Sequence, residues 1–108
     1  MATFVIKQND TSPSIEATLT NINGTAINIA SASVRFHMKN MTNNALTVDQ
    51  AATIVNAASG IVRYAWQAAD THTPGMYNCE FEVTYSDNSI ESFPNDDKII
   101  VSIEGEIN

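Results

Sequence analysis

One cysteine, Cys79, is present in 108 residues, so no intrachain disulfide can form and a metal site built on cysteine pairs is excluded. Basic residues are also scarce: 5 Lys and Arg against 12 Asp and Glu give a formal net charge of -7. A chain of that balance is repelled by a phosphate backbone or an anionic membrane surface, which argues against both as partners. The five cations, Lys7, Arg35, Lys39, Arg63 and Lys98, are scattered and form no basic stripe. Charged residues make up only 16% of the chain while hydrophobic residues make up 44%, a globular composition that makes disorder a poor reading. No apolar run is long enough to span a bilayer, and the opening MATFVIKQND has neither a charged nor a long apolar leader region, so a protein soluble after synthesis is expected. The sequons at Asn9, Asn23 and Asn40 arise readily by chance in an Asn- and Thr-rich chain and carry no argument.

Helical spacing is nearly absent as well. Apolar residues instead alternate with a period of two, the pattern of strands with one buried and one wet face. Phe4 and Ile6 open a first strand, and Ile15, Ala17 and Leu19 share a face of the second. The sequence Asn21-Ile22-Asn23-Gly24 predicts a tight reversal, because Asn-Gly supplies positive φ angles cheaply. Val34, Phe36 and Met38 form one side of a core strand, with Arg35, His37 and Lys39 on the other. Residues 40–50 read as a loop with a short edge strand near Leu46 and Val48; residues 49–58 fit either a helical turn or a strand ended by Gly60. Beyond that, Val62, Tyr64 and Trp66 face together, and Tyr77, Cys79, Phe81, Val83 and Tyr85 share one face of a long strand. Residues 90–93 and the run Ile99, Val101, Ile103 supply the last two strands. The expected fold is one domain over residues 1–108, all-β, an antiparallel immunoglobulin-like β-sandwich of about seven to nine strands without a disulfide.

The most specific local signal is Asp70-x4-Gly75-x-Tyr77-x-Cys79. Immunoglobulin-like domains place a Tyr two residues before a core cysteine, with its hydroxyl bonded back to nearby backbone. In this reading Tyr77 pins the corner, Gly75 permits a tight approach, Asp70 caps backbone amides and Trp66 on the preceding strand fills the core. Cys79 reads as a buried small hydrophobe, a reactive thiol being the sharper alternative that the neighbouring Glu80 disfavours. A hydrolase triad would need a histidine, and neither His37, read as a sheet-surface residue, nor His72, read as solvated, lies in a motif. No catalytic, cofactor-binding or metal-binding residue is assigned. Asp96-Asp97 reads as a solvated turn, with calcium ligation the alternative. Glu80 and Glu82, with Arg63 opposite, read first as a wet sheet face.

Several segments taken in order carry a family resemblance. They are Phe4-x-Ile6-x-Gln8-x-Asp10-Thr11-Ser12-Pro13, Gly24 before Ser33-Val34-Arg35-Phe36-His37-Met38, Ala52-x-Ile54-Val55, and Gly60-x-Val62-x-Tyr64-x-Trp66. Asp70-Thr71, Gly75-x-Tyr77, Glu80-Phe81-x-Val83-x-Tyr85-x-Asp87 and Phe93-Pro94 complete the series. Together they resemble the immunoglobulin-like N-terminal domain of tailed-phage baseplate upper proteins and related phage structural proteins.

The resemblance implies a non-enzymatic virion component, made in the host cytoplasm, that docks on other virion proteins in a symmetric assembly or homo-oligomer. Those relatives carry the domain ahead of a helical stalk and a receptor-binding-protein dock, whereas this sequence ends at Asn108. A tail, baseplate or neck adaptor is therefore the expected role, with capsid decoration and carbohydrate or host-surface binding as alternatives. Residues 3–8 and 98–104 are the expected edge or terminal strands for pairing with a neighbour.

Overall fold

The computed structural model describes residues 2–94 and 99–105. Nine strands are formed among them: β1 Ala2–Lys7, β2 Ile15–Thr18, β3 Ser33–Asn40, β4 Leu46–Ala51, β5 Thr53–Asn56, β6 Ile61–Tyr64, β7 Gly75–Thr84, β8 Ile90–Phe93 and β9 Ile99–Glu104. A single turn of 3-10 helix, Ala68–Thr71, lies between β6 and β7. The strands make an all-β sandwich, with Cys79 a free thiol. One sheet runs β1-β9-β7-β3-β4 with β8 also on β7, and the other runs β2-β6-β5.

The period-two pattern explains the packing. Val34 lies opposite Val83, Phe36 opposite Phe81 and Met38 opposite Cys79, so β3 and β7 present one continuous apolar face. Val101 and Ile103 on β9, Ile6 on β1 and Phe93 on β8 extend that face, while Ile15, Val62 and Tyr64 supply the facing layer. Phe36 is the meeting point: it stacks on Tyr64 with centroids 4.6 Å apart and touches Trp66 and Phe81 at 5.7 and 5.1 Å.

The stretch around residues 49–58, which fits either a helical turn or a strand in sequence, is ambiguous for a physical reason visible over residues 46–56. This stretch forms β4 at an edge of the large sheet, crosses at Ala52, whose N–H donates to the Val34 carbonyl at 2.9 Å, and continues as β5 at an edge of the small one. An edge strand in two sheets buries little on either side, and of β4 only Val48 is buried. The outcome is strand, not a helical turn.

Three expectations need correction. Among the described residues every strand pairing of the sandwich is antiparallel except β1 with β9, which is parallel. Among the described residues β9 is the last strand in the chain but not an edge, because β1 covers one side of it and β7 the other; the edges of the main path are β1 and β4. Trp66 lies beyond the end of β6 and not on the strand, although it is buried as expected. Lys98 and the Asp96-Asp97 pair lie outside the described residues.

Candidate functional site

Two places concentrate polar groups: the corner between β6 and β7, and the outer face of the large sheet. At the corner, the Tyr77 hydroxyl donates to the Thr73 carbonyl at 2.6 Å, and the ring is buried. The Asp70 carboxylate accepts from the Gln67 N–H at 2.8 Å and from the Tyr64 hydroxyl. Burial pushes the Tyr64 phenol well above its usual range, and the hydrogen bond and charge of Asp70 push the same way. Gly75 is needed for its backbone, not for space: its φ is +150°, while an added Cβ would meet nothing closer than a Tyr77 ring carbon at 3.8 Å.

Thr71, given no structural role in the sequence reading, is fully buried and ties the corner to the segment after β1. Its hydroxyl donates to the Asp10 carbonyl at 2.8 Å, its carbonyl accepts from the Asn9 N–H at 3.0 Å, and Gln8 Nε2 donates to the His72 carbonyl at 2.8 Å. A buried threonine hydroxyl without a partner would be costly, so its polarity in a tight corner was the available signal.

Replacing Tyr77 with Phe removes one buried hydroxyl and leaves the Thr73 carbonyl without that donor. A loss of about 1 kcal/mol or more is expected, seen in a thermal melt as a fall of roughly 4 °C or more. An unchanged melting temperature would mean that the bond contributes nothing to the corner.

Cys79 is buried, and burial pushes its thiol far above the ordinary thiol range, opposed in part by a hydrogen bond with the Val101 backbone. A nucleophilic thiol requires the opposite shift. Tyr64, Trp66 and Tyr77 are also all buried, which removes them from any sugar-stacking surface.

The outer face of the large sheet is more organised than sequence alternation alone conveys. Asp49 on β4, His37 on β3 and Glu80 on β7 lie directly opposite one another in register. His37 Nε2 is 3.1 Å from Asp49 Oδ1, and Nδ1 is 2.9 Å from Glu80 Oε2. Arg35 Nε donates to Asp49 Oδ1 at 2.8 Å, and Arg35 also donates to the Asp49 carbonyl at 2.8 Å. The guanidinium hydrogen bond is the largest influence holding the Asp49 carboxyl below the usual carboxylate range. The residue opposite Glu82 is Arg35, while Arg63 lies in the other sheet opposite Glu16. His37 is thus a bound imidazole with 19% side-chain exposure and not a loose surface residue. The signal was missed because its partners lie 12 and 43 residues away on two different strands.

Beside this row lies a groove of about 340 Å³ lined by His37, Lys39, Leu46, Asn78, Cys79 and Glu80. His72 sits apart from it, exposed, with Nδ1 3.4 Å from Asn9 Oδ1.

Comparison with known proteins adds two findings. A family model described as the BppU N-terminal domain matches residues 4–94. The crystal structure of CopC from Methylosinus trichosporium OB3b matches over 100% of this chain and 89% of that chain, with a TM-score of 0.57 and 16% sequence identity, a likeness of fold alone. No curated protein matches.

Proposed function

This chain belongs to the BppU N-terminal domain family, a phage baseplate upper protein domain, and from that premise we propose that it is a non-enzymatic virion subunit that docks on neighbouring tail, baseplate or neck proteins. Membership in a family of baseplate structural domains makes it a phage baseplate-related structural protein found in the virion. The adaptor role rests chiefly on the family match, which runs through both sheets as far as Pro94.

The geometry supports docking in two ways. The edge strands β1 and β4 leave backbone donors and acceptors available for strand addition, and each carries an exposed aliphatic side chain, Val5 at 59% and Leu46 at 56%. Repetition of the subunit in a symmetric assembly would let a modest contact per copy suffice. The net charge of -7 favours protein partners over nucleic acid or membrane. A non-enzymatic role is supported by the buried thiol of Cys79 and by a His37 ring held at both nitrogens by carboxylates.

Cross-linking mass spectrometry of purified virions tests the proposal. Peptides of this chain should be recovered from particles, cross-linked to tail or baseplate proteins, and particles free of the chain would refute it.

A further inference from the structure

We infer that His37, Glu80 and Glu82 form a surface site for a first-row divalent metal ion on the outer face of the large sheet. The ligand atoms of these three residues all lie within 4.8 Å of one another. His37 Nδ1 and Glu80 Oε2 are 2.9 Å apart. Two ligands each about 2.0–2.1 Å from a shared zinc-like ion lie about 3 Å apart when the angle between them is near a right angle or tetrahedral. The spacing of the first two ligands therefore suits an ion as well as a hydrogen bond.

The surroundings of the imidazole single out a metal ligand. A histidine that binds metal through one ring nitrogen commonly donates from the other to a carboxylate, which fixes the tautomer and raises the basicity of the ligating nitrogen. Asp49 holds that position at Nε2, 3.1 Å away, and is itself anchored by Arg35. A neutral imidazole has one N–H and can serve only one of its two carboxylate neighbours as a donor. With that proton on Nε2, facing Asp49, the Nδ1 lone pair is left pointing toward Glu80, and a cation between them reconciles two groups that would otherwise both be acceptors.

The charges agree. Asp49, Glu80 and Glu82 are three carboxylates, and among the described residues the cations on the same face are Arg35 and Lys39, so the described part of the patch is net negative with a neutral ring. One nitrogen and two carboxylate oxygens suit zinc and its first-row neighbours better than calcium, which takes oxygen ligands in larger number. The groove beside His37 and Glu80 gives water access to the remaining coordination positions. An ion bound here would tie β3 to β7. Asp49 is a positioning residue in this scheme, not a ligand.

The test is calorimetric titration of the chelator-treated protein with Zn²⁺, with Ca²⁺ as a control and Co²⁺ absorption as a spectroscopic probe. One Zn²⁺ per chain should bind, raising the melting temperature by on the order of 10 °C at a hundredfold excess over the dissociation constant. H37A should abolish binding, as should E80Q, which keeps the side chain's shape and so its packing. D49N should weaken Zn²⁺ by about 10- to 100-fold and alter the Co²⁺ spectrum while leaving the metal-free protein folded. Absence of saturable Zn²⁺ binding would overturn the inference and leave His37 as a member of a hydrogen-bonded network with Asp49 and Glu80. Undiminished affinity in both H37A and E80Q would overturn it by placing the ion elsewhere, as would a preference for Ca²⁺.

Discussion

Replacing Gly60 with Ala is expected to lower stability by about 3 kcal/mol or more. The residue is buried in the turn between β5 and β6, with φ +65°, a region where a non-glycine residue costs about 1–2 kcal/mol. Space adds a second penalty. A Cβ would stand 2.7 Å from the Ile27 carbonyl oxygen and 2.8 Å from that of Leu19. Both are backbone atoms, so no side chain can swing aside, and crowding of this kind adds roughly 1–3 kcal/mol.

The backbone that would be pushed is already hydrogen-bonded at Leu19. Leu19 N–H donates to the Gly60 carbonyl at 2.8 Å, and Ile27 N–H donates to the Leu19 carbonyl at 3.0 Å. Moving either loosens the segment that buries Leu19 and Ile29. A thermal melt should show a drop of roughly 12 °C or more. Gly24 is the control, since its φ is +83° but a Cβ there would meet nothing within 4 Å; G24A should cost only the backbone penalty. Equal effects at the two positions would mean that Gly60 is not pressed between those carbonyls.

Phe36→Ala is expected to cost about 3–5 kcal/mol, the range for emptying a large aromatic position in a well-packed core. Phe36 is fully buried and is the ring through which the sheets meet, stacked on Tyr64 from the small sheet at an interplanar angle of 14° and edge-on to Trp66 at 90°. Its loss removes the support of both rings at once. Denaturant unfolding should show the midpoint lowered with the slope unchanged if the native state stays compact. A loss below about 1 kcal/mol would mean that the two layers do not meet at this residue.

The faces of β3 and β7 could be read directly because each carries three or more alternating apolar residues, and burial on one face fixes register. The tight reversal at 21–24 was equally legible from Asn-Gly: Asn21 Oδ1 accepts from the N–H groups of Asn23 and Thr25 at 2.9 and 3.1 Å. Pairing between distant segments was not. Nothing local in Phe4-x-Ile6 says that its neighbour is Val101 and Ile103 in parallel, since that choice is made by which groove the whole sheet leaves open. The Asp49-His37-Glu80 row was hidden for the same reason: alternation told which way His37 points, and only cross-strand register told what it meets. Gly60 was legible as a breaker but not as a contact, because the carbonyls against it belong to residues 19 and 27.

The most direct measurement of the central claim is the protein composition of purified virions, read by mass spectrometry with cross-linking. The proposed role requires this chain in the particle, in stoichiometric amounts, with cross-links that join it to tail, baseplate or neck proteins. Its absence from intact, infectious particles would contradict that role.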